Sequence, residues 1–422
     1  MLEVEEQLAR LRQRMAAIDG KYTKTKPIVK PAGERASSCG KSIKEWAEGR
    51  VVGNEFGEHF QTERLFPAHK QHGSADIGAL AEMPAALLDT LSGNEIQAAE
   101  PGRWAFLDTE TTGLAGGSGT YAFLIGVGRI TPAGFAVRQY FMREYVEERS
   151  ILLALEEHLA EFDVLITYNG RSYDQPLLET RFLMNRHKPP FGRLGHLDLL
   201  YGARRLWKLR LDSCRLTQLE QEILGVYREG DLAGELIPYV YFEYLRTKEA
   251  QRLIPVFHHN AIDILTLACL TAIVPAAFRN TDCDSLSRVG VRLGPELAGI
   301  ARWLKAAGEC EQALELLKRA VDAGLPDGLL FRSLWDIACL QKKLGRPFEA
   351  LPIFIELSGC RNEHRAPALE ELAKYYEHEE CNYALALDFT EQALGFHDSG
   401  ELRHRRERLA RRLAKPCSRK LI

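Results

Sequence analysis

The chain has 422 residues, of which 45% are hydrophobic and 27% charged, so its apolar content is sufficient for two or more ordinary cores. A formal net charge of -3 and a pI near 6.5 give no overall attraction to a polyanion, so any such partner would have to be held by local basic patches. Nine cysteines without a CxxC pair, an acidic N-terminus without a signal-peptide core, and no apolar run approaching ~18 residues predict a cytoplasmic protein with no membrane segment.

The first 100 residues are interpreted as a helix, a linker and an uncharacterised extension. An apolar stripe with alternating spacings of four and three residues predicts a helix of about five turns, which packs on the body of the protein, is left loose, or pairs with a partner helix. Its residues are Val4, Leu8, Leu11, Met15 and Ile18. Residues 21–45 are rich in Lys, Pro, Gly and Ser, as is typical of a linker, and little periodicity follows up to residue 100.

Residues 101–280 are predicted to form an α/β domain. Short apolar runs at 104–107, 121–127 and 135–141 predict three antiparallel strands in succession. Helical periodicity at 147–162, a buried strand at 164–168 and a helix at 173–186 then predict βα units. Together these elements indicate a mixed sheet covered by helices.

Residues 290–422 are predicted to be entirely helical and internally repetitive. Small and apolar residues recur with an offset of 37 positions: Ala301, Gly308, Ala313 and Ala320 correspond to Ala338, Gly345, Ala350 and Leu357. This pattern resembles tetratricopeptide repeats, in which each helical hairpin packs on the next, and the resemblance implies a surface for a protein partner. The chain ends in an arginine-rich helix, which forms either a solvated capping face or a contact with phosphates.

Two acidic residues stand at the end of the first predicted strand of the α/β domain. Asp108 and Glu110 lie two residues apart in the sequence LDTETTGL, and residues i and i+2 of a strand share a face. Adjacent carboxylates repel each other, whereas a divalent cation between them reverses the sign of that interaction. The alternative for this pair alone is a strand that ends in a polar turn.

The complete string DTETTGL resembles the first motif, DxETTGL, of the DEDD family of 3′ to 5′ exonucleases in the RNase H-like superfamily. The resemblance implies two further acids in order, one after the fourth strand and one early in a late helix. Asp174, in the segment YNGRSYD, occupies the first of these positions, and Asp263, in FHHNAID, occupies the second. Each has a structural alternative, since Asp174 could cap the following helix and Asp263 could form a capping box with Asn260.

Two histidines precede the last acid. Members of the DEDD family place a His five residues or a Tyr four residues before it, and this sequence has His258 and His259 at those positions. The resemblance implies His258 as general base in the first case, with His259 in the place of the tyrosine in the second. A helix already formed at His259 would put it within ~40° of Asp263 on the helix surface, whereas a helix that begins at Asn260 would leave both rings possible.

The motif region, residues 103–275, with its helical repeats, most resembles the YprB-like RNase H-like exonucleases. The implied reaction is metal-dependent hydrolysis of phosphodiester bonds at the 3′ end of DNA or RNA. Asp108, Glu110, Asp174 and Asp263 are hard oxygen ligands suited to two Mg²⁺ or Mn²⁺ ions ~3.5 to 4 Å apart. A histidine could accept the proton of the attacking water near neutral pH.

Other interpretations remain open at this point. The chain could be a non-catalytic nucleic-acid-binding adaptor that recruits proteins through its repeats, or an RNase H-like endonuclease. A GxGxxA-like string at residues 117–122 precedes a strand instead of opening a helix, which argues against a dinucleotide site. Leu114 and the glycine-rich residues 116–120 could contact nucleic acid or form a plain hairpin loop, and Asp198 could lie near the site.

Overall fold

The structure, a computed structural model, describes residue 43 and residues 47–92, 96–113 and 119–414. The predicted N-terminal helix, nearly all of the predicted linker, Leu114, residues 116–118 and Lys415 lie outside these residues.

Seven of the nine strands in the described part of the chain form one mixed sheet, in the order β1-β2-β7-β6-β5-β8-β9, and β3 pairs with β4 in a separate hairpin. The strands are β1 Gly49–Asn54, β2 Gly57–Pro67, β3 Gln71–His72, β4 Ala75–Asp76, β5 Trp104–Thr111, β6 Ala122–Thr131, β7 Gly134–Phe141, β8 Val164–Thr167 and β9 Gly195–Asp198.

The centre of the sheet is the part that the sequence predicts. β5, β6 and β7 pair antiparallel in succession, and β8 and β9 add to the other side of β5 as parallel strands. Every residue of β8 is buried, as expected for a parallel strand with both faces covered. The prediction of an α/β domain with a mixed sheet is therefore confirmed.

The sheet also extends into the segment interpreted as an uncharacterised extension. β2 pairs antiparallel with β7 over eight residues, from Phe60 opposite Phe141 to Pro67 opposite Gly134, and β1 pairs with β2 at the edge. Residues 49–67 are thus part of the sheet, and its first strand begins 52 positions before residue 101. β1 gives little periodic signal because it is an edge strand, none of whose residues is buried.

Helices cover the sheet and form the C-terminal region. They are α1 Asp89–Ser92, α2 Glu148–Leu159, α3 Asp174–Met184, α4 Leu199–Trp207, α5 Leu216–Leu219, α6 Ile237–Thr247, α7 Ile254–Arg279, α8 Cys283–Arg288, α9 Gly294–Ala307, α10 Cys310–Asp322, α11 Asp327–Lys343, α12 Pro347–Gly359, α13 Arg365–His378, α14 Tyr383–Phe396 and α15 Gly400–Ala414.

The central helix is α7. It packs on β5, β6 and β7 and is apolar around most of its circumference, as is typical of a helix that is enclosed by protein. The segment Gln251–Arg279 is also the one stretch of the described chain that is long and apolar enough to cross a membrane, but 72% of its most apolar window is buried within the protein. In this structure it is a core helix.

The C-terminal region is helical, as predicted, and α9–α15 pack consecutively. The positions repeated with an offset of 37 are structurally equivalent. Ala301 and Ala338 are both fully buried, and Gly308 and Gly345 both adopt left-handed backbone conformations, with φ of 89° and 77°, just after helices. The resemblance to tetratricopeptide repeats remains a prediction.

The arginine-rich helix α15 is partly occupied with an internal partner. The buried carboxylate of Glu377 on α13 accepts hydrogen bonds from Arg405 at 2.5 Å and Arg408 at 2.7 Å, and Arg412 lies 3.9 Å from it. Three of the arginines available for a phosphate contact therefore hold α15 on the helical array.

Candidate active site

Asp108 and Glu110 lie where β5 leaves the core. Residues 104–107 are buried, residues 108–111 are half-buried, and a register shift interrupts the pairing with β6 between Glu110 and Thr111. β5 and β8 are parallel, so their carboxyl ends meet at the same edge of the sheet. The acids of β5 thus lie beside the segment that follows β8.

That segment is a tight turn. Asn169 has a left-handed backbone with φ of 67°, and Asp198 at the end of β9 accepts hydrogen bonds from the backbone N–H groups of Asn169 at 2.8 Å and Arg171 at 3.2 Å. Asp198 also caps α4 through the backbone N–H of Leu200. Asp198 is therefore near the acids, as one interpretation of the sequence held, and its contacts stabilise the turn that leads to Asp174.

Asp174 is the first residue of α3. Its Oδ1 accepts a hydrogen bond from the Thr109 hydroxyl at 2.6 Å. The Asp174 side chain therefore contacts the strand that carries Asp108 and Glu110. A role of Asp174 as a helix cap alone would not explain this contact.

α7 supplies the last acid and one histidine. The helix begins at Ile254, so His259 and Asp263 lie one turn apart on a formed helix, and His259 Nε2 is 3.6 Å from Asp263 Oδ2. The alternative in which the helix begins at Asn260 is wrong. His258 is exposed on another face, where its Nδ1 lies 2.9 Å from Arg64 of β2. Of the two histidines, the structure brings only His259 to the acids.

A buried polar chain fixes Asp108. Asn260 donates to Asp108 Oδ2 at 2.8 Å, and Gln139 of β7 donates to Asn260 Oδ1 at 2.8 Å. Asn260 is fully buried, and a Cβ at Gly126 would come within 2.3 Å of its Oδ1, so only glycine permits this approach of α7 to β6. From its sequence context Asn260 is predicted only as a helix cap, and its contact with Asp108 has no local sequence signal.

Two more charged residues come from a polar loop between α5 and α6. Arg228 donates to Asp263 Oδ1 at 2.5 Å, to Glu220 Oε2 at 2.6 Å and to Asp231 Oδ2 at 3.1 Å. Asp231 also lies 2.9 Å from His259 Nδ1 through each of its carboxylate oxygens. Neither residue was predicted, because an Arg and an Asp in a polar loop are usually solvated.

The electrostatics of the cluster are unbalanced. Burial, followed by repulsion from Asp263 and Asp174, raises the pKa of Asp108 well above its usual range. Burial and repulsion from Asp108 do the same to the pKa of Glu110. Burial raises the pKa of Asp174 to about 6, although the hydrogen bond from Thr109 opposes this shift. Among the described residues near these acids, Arg228 is the cation that offsets part of their charge.

The donor set suits a hard divalent cation, because all four predicted ligands offer carboxylate oxygens. Among the described residues, no three His, Cys, Asp or Glu side chains are arranged so that they could hold one metal ion together. The hydrogen bonds account for this: Asp263 is engaged by Arg228, Asp108 by Asn260 and Asp174 by Thr109. Side-chain rotation would therefore have to accompany cation binding.

Comparison with known proteins gives two results that agree with this geometry. Residues 105–274 match the family model for the RNase_H superfamily, a range that contains the acids on β5, α3 and α7 together with His259. Over 294 residues, the chain is 36% identical to YprB of Bacillus subtilis strain 168, an uncharacterised protein, and the alignment covers 68% of each chain. The range matched by the family model therefore contains the centre of the sheet from β5 to β9 and the charged cluster at the sheet edge.

Proposed function

This chain belongs to the family of YprB within the RNase H superfamily, and from that premise we propose that it is a metal-dependent nuclease that hydrolyses phosphodiester bonds from the 3′ end of DNA or RNA. The observation that carries the proposal is the convergence of Asp108, Glu110, Asp174 and Asp263 from three separate segments of the chain. Their mutual repulsion is unfavourable for the fold without a cation, and clusters of this kind are typical of functional sites.

Asp108, Glu110, Asp174 and Asp263 are the residues proposed to hold two Mg²⁺ or Mn²⁺ ions. Such ions, when bound, lower the pKa of a water molecule and offset charge on the leaving 3′ oxygen. The polar chain through Gln139 and Asn260 holds the Asp108 carboxylate at the sheet edge in the absence of a cation.

His259 is proposed as the group that accepts the proton of the attacking water, at its Nε2 atom. Burial alone would disfavour the charged ring, but the hydrogen bond with Asp231 and the nearby Asp263 carboxylate raise the pKa of His259 above its ordinary value. A ring stabilised in its protonated form is suited to receive a proton during the reaction. His258 has no such contact with the acids.

The helical region is proposed to bind a protein partner, and the cytoplasmic location remains a prediction. Neither affects the chemistry at the sheet edge, because the four acids and His259 all lie between β5 and α7 in the sequence.

The proposal is tested by incubating the protein with 5′-labelled single-stranded DNA and RNA in Mn²⁺ or in EDTA and following the product ladder over time. We expect a ladder that shortens from the 3′ end only with metal. A parallel substrate with a blocked 3′ end should resist cleavage. Exposed Glu58, replaced in Glu58→Gln, is the control for loss of one acid outside the site.

Other outcomes discriminate between the alternatives. Internal fragments, or cleavage of the 3′-blocked substrate, would instead indicate an endonuclease on the same scaffold. If neither DNA nor RNA is cut in Mn²⁺, the exonuclease proposal fails and the adaptor interpretation replaces it.

A further inference from the structure

The Nδ1 atom of His259 is held by a carboxylate that lies outside the four-acid set. Asp231 Oδ1 and Oδ2 are each 2.9 Å from it, so the carboxylate meets the ring nitrogen symmetrically. On the opposite side of the ring, Nε2 is 3.6 Å from Asp263 Oδ2. His259 thus lies between two carboxylates, of which only Asp231 is within hydrogen-bond distance.

The chemistry of this contact fixes the ring. An ionised carboxylate accepts hydrogen bonds and cannot donate, so Nδ1 must carry the proton in the neutral ring. Nε2 then carries no proton, and its lone pair faces the side on which Asp263 lies. Without an acceptor at Nδ1, the ring could rotate or carry its proton on Nε2, where it could not accept another.

Asp231 is itself held in place. Its Oδ1 accepts from the backbone N–H of Leu232 at 2.9 Å, and its Oδ2 accepts from Arg228 at 3.1 Å. Arg228 is anchored in turn by Glu220, which is 1% exposed and also accepts from Thr266 of α7 at 2.8 Å. The loop that carries Asp231 is therefore tied to the helix that carries His259.

We propose that Asp231 is a positioning residue, which fixes the orientation and tautomer of His259 so that Nε2 is the proton acceptor. This inference rests on the proposed nuclease function for its consequence, but the hydrogen bond itself can be tested without any reaction. It concerns a residue 28 positions upstream of His259 in a loop that carries no recognisable motif.

Three variants separate the hydrogen bond from the charge. Asp231→Leu removes the acceptor, Asp231→Asn keeps an oxygen acceptor but loses the charge, and both lose the charge beside Arg228. Glu229→Gln, at an exposed neighbour in the same loop, is the matched control for loss of one acid. The difference between the Leu and Asn variants therefore reports the contact with His259.

The first readout is the state of the ring. Long-range ¹⁵N–¹H spectra of the histidine-labelled protein, with His259 assigned by His259→Gln, locate the proton at a pH where the ring is neutral. We expect Nδ1–H in the unsubstituted protein, in Asp231→Asn and in Glu229→Gln, and loss of this preference in Asp231→Leu. A proton on Nε2 in the unsubstituted protein would overturn the inference whether or not the protein cuts nucleic acid.

The second readout is kinetic. Asp231→Leu should lower kcat by about 10- to 100-fold with little change in KM, and Asp231→Asn should recover part of that loss. In a His259→Ala background, Asp231→Leu should change the rate by less than about 2-fold, because its effect acts through the ring. If the losses of the two single variants add in full in the double variant, Asp231 has a role independent of His259, and the inference is overturned.

An inactive unsubstituted protein would overturn the proposed function. The ring-state measurement would still decide the role of Asp231.

Discussion

Two buried acidic sites in this protein have opposite charge balance. Glu377 in the helical region is a single carboxylate surrounded by Arg405, Arg408 and Arg412. Burial alone would raise its pKa, but the hydrogen bond from Arg408 and the charge of Arg405 lower it. At the sheet edge, carboxylates from β5, α3 and α7 crowd together, with Arg228 as the cation among them, and the pKa values of Asp108, Glu110 and Asp174 are raised.

The difference separates a structural role from a functional one. A carboxylate with enough arginine partners is compensated within the protein and links two helices, whereas a carboxylate cluster with excess negative charge is unfavourable until a cation binds. Variants at the two sites should therefore differ both in what they lose and in how that loss depends on pH and metal.

The largest expected effect is at Asp108. Asp108→Ala should reduce metal-dependent cleavage to the level of the protein-free control, because it removes an oxygen ligand, while circular dichroism remains that of the unsubstituted protein. Activity in a 5′-labelled ladder assay is the measurement. Undiminished cleavage would exclude Asp108 from the metal site.

The two histidines should differ by a large factor. His259→Ala should lower kcat by about 10²- to 10⁴-fold, as is usual for loss of a general base, whereas His258→Ala should change it by less than about 10-fold. Comparison of single-turnover rates for the two variants decides the point. Equal losses, or a larger loss in His258→Ala, would reverse the assignment.

Glu377→Gln should affect stability and leave cleavage intact. Loss of the buried carboxylate leaves arginines without a counter-charge and should lower the free energy of unfolding by about 1 to 3 kcal/mol, less than for a fully buried pair because Arg408 and Arg412 are partly exposed. Denaturant unfolding measures this, with exposed Glu379→Gln as the control on the same segment. A drop in cleavage at unchanged stability would contradict a structural role.

The smallest expected effect is a pH dependence of opposite sign at the two sites. Because the pKa of Glu110 is raised in the folded protein, its contribution to stability is present at low pH and is lost as the pH rises through the folded-state pKa. The Tm of Glu110→Gln minus the Tm of the metal-free unsubstituted protein should therefore increase from pH 5 to pH 8. The lowered pKa of Glu377 means that its contribution is lost as pH falls, so Glu377→Gln should cost more at pH 7 than at pH 4. Parallel pH trends in the two variants would contradict the comparison.

The parts of the site that the sequence predicts are those with local periodicity. The spacing of Asp108 and Glu110 places both at the end of β5, and the offset of His259 from Asp263 corresponds to one turn of α7. The strand at 164–168 followed by an Asn-Gly turn likewise predicts the location of Asp174 at the start of a helix. In each case a few consecutive residues carry the geometric information.

The remainder depends on contacts between distant segments. Asn260 meets Asp108 across 152 positions, and Arg228 meets Asp263 across 35, so neither contact has a local pattern. β1 and β2 were not identified because β1 is an edge strand without buried residues and the burial along β2 does not alternate. The pairing of β2 with β7 joins residues that lie 67 to 81 positions apart. Such contacts become visible only once the sheet order is known.

We expect the acids at the sheet edge to bind a divalent cation, because Arg228 alone does not balance their negative charge. Mn²⁺ binding measured by electron paramagnetic resonance in the unsubstituted protein, Asp108→Ala and Glu377→Gln tests it most directly. We expect Mn²⁺ to bind to the unsubstituted protein and to Glu377→Gln, and to bind much more weakly to Asp108→Ala. Absence of Mn²⁺ binding in the unsubstituted protein, or equal binding in all three proteins, would contradict it.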